Sequence, residues 1–94
     1  MVELKYVRAE GFVEKQVGDE LILVPLVNQV ANMSEVFTFN EVGAFIWHCL
    51  KTPLTLNQLA EKVVESFEVE KSIALNDVKI FLEQTHAKHV VTFA

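Results

Sequence analysis

Four residues carry side chains that could do chemistry on their own: His48, Cys49, His86 and His89. A histidine beside a cysteine suggests a base and a thiol nucleophile, but the pair works only if the imidazole can reach the sulfur. Adjacent residues on a helix point about 100° apart, so His48 and Cys49 cannot hydrogen-bond as a catalytic pair. Cys49 is the only cysteine among 94 residues, which excludes an intramolecular disulfide and a cysteine-rich zinc cluster. It reads as a small buried side chain. His86 and His89 are spaced for one helix face and could supply two corners of a metal site. Two histidines alone do not make such a site, and they are read as a solvated pair. Gly11, Gly18 and Gly43 stand isolated and form no phosphate-binding loop. No metal, no cofactor and no catalytic residue is therefore expected, and the chain reads as a non-enzyme.

Binding chemistry remains. Ile73, Asp77, Ile80 and Gln84 recur at helical spacing on a face beside the main apolar stripe of their segment. An apolar residue flanked by a carboxylate and an amide suits a groove wall: Ile80 would take an apolar anchor while Asp77 pairs with a Lys or Arg. The plainer alternative is that Ile80 only widens the core stripe and Asp77 is solvated. The run Val36-Phe37-Thr38-Phe39 is short, β-branched and aromatic, so it reads as a strand. Alternation places Phe37 and Phe39 on one face and Val36 and Thr38 on the other, and leaves open which pair would meet a ligand. The lone Trp47 reads as a core filler with a polar handle rather than a stacking platform.

These candidates need elements to position them, and the chain divides by period. Phe12 to Val17 and Leu21 to Val24 flank Gly18-Asp19, a two-residue hairpin signal, with the second strand expected to stop at Pro25. Asn28 to Ser34 reads as a polar connection to the strand at Val36 to Phe39, and Leu4 to Val7 as a further strand. Beyond Asn40, a good N-cap, Val42, Phe45, Ile46, Cys49 and Leu50 recur at helical spacing. Thr55 and Gln58 form a capping box opening a second helix, whose stripe is Leu56, Leu59, Ala60, Val63, Val64 and Phe67. Ser72 is the expected cap of a third helix with Leu75, Val78, Phe81, Leu82 and Thr85 inward, ending near Lys88 before the β-prone Val90 to Phe93. The fold class is α+β: a small antiparallel sheet of about three strands followed by three helices, in a winged-helix-like arrangement within one domain of residues 1–94.

Composition limits the partners. The apolar fraction of 51% is enough for a core and argues against disorder. Eight Lys and Arg against thirteen Asp and Glu give a net charge of -5, which disfavours nucleic acid. No apolar run approaches the ~20 residues that cross a bilayer, so no membrane partner and a cytoplasmic location are expected.

In order and spacing, several of these pieces resemble the PqqD family. They are Leu21-Ile22-Leu23, the step Phe39-Asn40-Glu41-Val42-Gly43 into Ile46-Trp47, Leu54-Thr55, Leu59-Ala60, and Asp77-Val78 followed by Phe81-Leu82. The resemblance runs from Val13 to Val91. It implies a precursor-peptide recognition element, found alone or fused to enzymes that make ribosomally synthesised, modified peptides. Such a module captures the leader of the precursor by strand addition and presents it to a modifying enzyme, such as a radical SAM protein, in pyrroloquinoline quinone synthesis or a related pathway. Carried onto this chain, the leader would lie along Val36, Phe37, Thr38 and Phe39, in a groove walled by Ile73, Asp77, Ile80 and Gln84. The chain departs from the family pattern where a Gly is usual near the end of the last helix; here stand His86-Ala87-Lys88-His89.

Two other readings remain at this level. A winged-helix DNA-binding regulator would need a basic recognition helix, whereas the third helix sets Asp77 and Glu83 against Lys79 and Lys88. A structural module that forms a homodimer through its edge strand would use the same exposed backbone groups as a peptide does.

Overall fold

The computed structural model describes residues 3–28, 30–32 and 34–94. In chain order the elements are β1 (Lys5–Arg8), β2 (Phe12–Val17), β3 (Glu20–Val27), β4 (Val30–Ala31), β5 (Phe37–Phe39), α1 (Glu41–Cys49), β6 (Leu54–Thr55), α2 (Leu56–Phe67), α3 (Lys71–Ala87) and β7 (Val91–Phe93). The class is α+β with antiparallel sheets and three helices, although it has more strands than the three expected. Contacts divide the chain into two compact units, one of Met1–Ala9 with Phe45–Ala94 and the other of Glu10–Ala44.

The Glu10–Ala44 unit is built on the β2–β3 hairpin, whose register runs from Val17↔Glu20 to Phe12↔Pro25. Gly18, at φ 60, takes the first central position of the turn, where a Cβ would be strained and the twist of the two strands is matched. Pro25 does not end the strand as expected. The Leu26 N–H donates to the Gly11 carbonyl at 2.8 Å, so even-numbered positions of β3 address β2, and Pro25 addresses the opposite side. On that side β5 pairs with Leu21 to Leu23 and β4 with Leu26 and Val27. The Pro25 carbonyl accepts from the Asn32 N–H at 2.7 Å, so Pro25 closes the β4 pairing at its end, where its missing N–H forgoes one return bond without stopping the strand.

The expected polar connection thus contains a short strand. β4 folds back on β3 through Val27↔Val30, with Asn28 at φ 52, a conformation asparagine tolerates. Gln29 and Met33 of that stretch lie outside the described residues. Leu21, Leu23 and Val24 are buried, and the Phe12 ring meets Phe37 edge-on with centroids 6.1 Å apart. Asn40 caps α1 as its sequence suggests, its side-chain oxygen accepting from the Gly43 N–H at 2.9 Å.

In the other unit β1 is central, paired with β6 on one side and β7 on the other. The expected strand at Leu4 to Val7 begins one residue later, and Leu4 is exposed. The capping box of α2 is complete: the Thr55 hydroxyl accepts from the Gln58 N–H at 3.1 Å, and the Gln58 side chain accepts from the Thr55 N–H at 2.9 Å. The third helix starts earlier than expected. Glu70, not Ser72, is the N-cap of α3, and it makes no side-chain cap bond; its carboxylate sits at the positive end of the helix dipole instead. Ile46, Trp47, Leu50, Leu59, Ala60, Val63, Ala74, Val78, Leu82, Val90 and Val91 are buried in this unit. The Thr85 hydroxyl, also buried, donates to the Phe81 carbonyl at 2.7 Å and is thereby satisfied.

α3 ends at a position whose geometry suits a glycine. His89 sits at φ 61, in the left-handed region. Its N–H donates to the His86 carbonyl at 3.1 Å, and the Val90 N–H to the Thr85 carbonyl at 2.9 Å. These are the two bonds of a Schellman cap, whose left-handed residue is usually Gly because a Cβ is crowded there. His89→Gly is expected to raise stability by about 1 kcal/mol, measurable as a higher midpoint in urea with an unchanged slope.

Candidate functional site

Within the Glu10–Ala44 unit β2 edges the sheet on one side of β3, while β4 and β5 share the other side, and β2 and β5 differ in character. β2 carries Glu14, Lys15 and Gln16 at its centre, the charged type of edge that discourages pairing with another chain. β5 carries Phe37, Thr38 and Phe39 and no charge. It pairs with β3 through Leu21↔Phe39, Ile22↔Thr38 and Leu23↔Phe37, and with no other described strand. Because odd-numbered positions of β3 address β5, Phe37 and Phe39 hold the ladder bonds, and the N–H and C=O of Thr38 point to the open side. The faces are settled too. Phe37 and Phe39 are half-buried on the side of Leu21 and Leu23, whereas Val36 and Thr38 are exposed on the other. Val36 lies just before the strand.

In the second unit α3 places Ala74, Val78, Leu82 and Thr85 inward. Ile73 and Ile80 are 49% and 44% exposed, and Asp77 and Gln84 are exposed with them. The reading in which Ile80 merely widens the core is therefore excluded: the core stripe runs down another side of the helix, and these four residues form a solvent-facing stripe with two large aliphatic side chains.

Burial raises the Cys49 thiol above its ordinary value, with the Lys62 charge pulling the other way, a balance that favours the protonated sulfur. The His86 ring lies against that of Phe93, with centroids 4.4 Å apart and the planes tilted by 38°. Among the described residues no group of three or more His, Cys, Asp or Glu could hold a metal ion. Trp47 is buried, with the Arg8 guanidinium 5.2 Å from its ring centroid.

Sequence reasoning missed one feature. Tyr6, Leu56, Lys79, Leu82, Glu83, His86 and Phe93 line an open cleft of about 400 Å³. Tyr6 and Phe93 are cross-strand partners with ring centroids 5.3 Å apart. Neither helical nor strand periodicity signals such a cluster, because its members come from both ends of the chain and two helices.

The family model described as "Coenzyme PQQ synthesis protein D (PqqD)" matches residues 20–91. The chain belongs to the PqqD family. No curated protein matches it. Among solved structures, the PqqD-family chain is similar to one described as "TbiB1 in Complex with the TbiA(beta) Leader Peptide", at 19% identity and a TM-score of 0.72, covering 90% of this chain and 93% of that one. That likeness shows a shared fold across nearly the whole length of both. The match from residue 20 takes in β3, the uncharged edge of β5 and all of α3, so both candidate surfaces of this PqqD-family chain lie inside it. Among the described residues no helix is long and apolar enough to cross a membrane.

Proposed function

We propose that this chain is a non-catalytic peptide-binding module that captures the leader of a ribosomally synthesised precursor peptide and presents it to a modifying enzyme. The observation that carries the proposal is the open, uncharged edge of β5, with the Thr38 N–H and C=O directed outward, in a chain of the PqqD family. Strand addition needs such an edge, since backbone hydrogen bonds supply affinity without demanding a particular sequence. The similar TbiB1 chain is described with a leader peptide, which supports the same class of ligand here.

In this reading Val36, Phe37, Thr38 and Phe39 receive the leader as an added strand. Ile73, Asp77, Ile80 and Gln84 on α3 select among leader side chains, Ile80 through an apolar contact and Asp77 through a Lys or Arg. The partner enzyme would be a peptide-modifying one such as a radical SAM protein, and the work would take place in the cytoplasm.

The α3 assignment has a direct test. Ile80→Asp is expected to weaken leader binding about tenfold or more, because it removes an apolar contact and places a carboxylate in its stead. The fold should survive, since Ile80 is exposed. Calorimetric titration together with a thermal melt separates the two effects: binding equal to wild type removes α3 from the site.

The DNA-binding reading is not favoured by the net charge of -5. A homodimer through β5 would use the same backbone groups as the leader. It is distinguished by sedimentation, in which added leader should dissociate an edge dimer.

A further inference from the structure

The cleft at Tyr6 and Phe93 has no part in leader capture as proposed above, and its geometry describes a ligand. β7 pairs with β1 through Tyr6↔Phe93, Val7↔Thr92 and Arg8↔Val91, and with no other described strand. The Ala94 N–H donates to the Lys5 carbonyl, and the Ala9 N–H to the Val90 carbonyl, both at 2.9 Å. Counting from these two bonds, the backbone of Thr92 addresses β1, and the N–H and C=O of Val91 and Phe93 point away from it, to the open edge. An extended segment added there would exchange both backbone bonds with Phe93. Its residue opposite Phe93 would carry a side chain on the same face as the Phe93 ring. That face lines the cleft, with Tyr6, Leu56, Leu82 and His86 beside it.

The rim fixes the chemistry further. Lys79 and Glu83 stand one turn apart on α3 and are exposed, and neither is in an ion pair among the described residues. A same-face neighbour two residues to either side of the anchor would bring an acid to Lys79 or a base to Glu83. A second copy of this chain anchored by its own Phe93 would bring Val91 as the same-face neighbour, with no charge for Lys79 or Glu83.

We infer that the β7 edge and this cleft form a second peptide-docking site, taking an extended segment of the modifying enzyme with an apolar anchor flanked by one acidic and one basic residue. The choice of the enzyme as its source rests on the leader reading: a module that presents a peptide must also hold the protein that modifies it, and the leader is assigned to β5.

The test uses designed probes on the full chain. One is a blocked heptapeptide of threonines with glutamate, leucine and lysine at its second, fourth and sixth positions. The others exchange the two charges or replace the leucine with serine. Titrated into the isotope-labelled protein, one of the two leucine peptides should give saturable amide shifts at Tyr6, Leu56, His86 and Phe93. The serine peptide should bind at least about tenfold more weakly, since the buried anchor is lost. Lys79→Glu should weaken the preferred peptide and improve its charge-exchanged form. No shifts at millimolar peptide, or equal binding of the serine peptide, overturns the site. Shifts at Phe93 produced by the precursor leader itself would assign the cleft to the leader and overturn the enzyme as occupant. Because these signals lie on β1, α2, α3 and β7 and leader capture is read at Phe37 to Phe39, either proposal can fail without the other.

Discussion

Thr38→Pro is expected to abolish most leader binding and leave the protein folded. The substitution removes the outward N–H of β5, the donor to an added strand, and leaves a leader carbonyl without its partner. A buried polar group left unpaired costs about 1–3 kcal/mol, or roughly five- to 150-fold in affinity, before any clash of the ring with the incoming strand is counted. The fold tolerates the change because Thr38 faces away from β3: the ladder bonds belong to Phe37 and Phe39. Proline is ordinarily confined to edge strands at such positions, and the extended backbone it imposes on Phe37 is already that of a strand. Titration calorimetry measures the loss and circular dichroism checks the fold. Wild-type affinity in a folded Thr38→Pro protein would show that the leader does not add to this edge.

Trp47→Ala has the larger effect on stability. Trp47 is 2% exposed in the unit that holds α2 and α3, and the Arg8 guanidinium lies over its ring. Truncating a buried tryptophan costs about 3–5 kcal/mol, against a total of about 5–15 kcal/mol for a protein of this class. At roughly 4–8 °C per kcal/mol for a chain this small, the midpoint should drop by about 15 °C or more. The variant lacks the only tryptophan, so the melt is followed by circular dichroism rather than fluorescence. A loss below about 1 kcal/mol would mean that the ring is not part of the core.

Features carried by local chemistry were legible in the sequence, and features carried by pairing were not. The Thr55–Gln58 capping box, the Asn40 cap and the Gly18-Asp19 hairpin each involve residues within four positions of one another, and all three form as read. Pro25 was misread because a proline at the end of a pairing forgoes one return bond without stopping the strand. Which way a residue of β3 faces depends on the register with β2, β4 and β5. The start of α3 also differs: Ser72 has the better capping side chain, yet the helix begins at Lys71 behind a Glu70 that makes no cap bond. The strand at Val91 to Phe93 could be read as β-prone, but its place beside β1 and against His86 depends on contacts spanning most of the chain.

The candidate surfaces divide along the same line. Alternation showed that Val36 with Thr38 and Phe37 with Phe39 must occupy opposite faces, and only the β3 register showed which pair is exposed. Helical spacing isolated Ile73, Asp77, Ile80 and Gln84, but only burial could distinguish a second solvent-facing stripe from a widened core. The family was legible because its motifs are spread along the sequence in a fixed order.

The central claim is that the leader adds as a strand to β5. Its most direct test is an amide-shift titration of the labelled protein with the leader of a candidate precursor peptide. Saturable shifts concentrated on Val36 to Phe39 and on Ile73, Asp77, Ile80 and Gln84 are expected, with the Thr38 amide gaining protection from solvent exchange. Saturable binding that leaves the Thr38 amide unshifted and unprotected would contradict it.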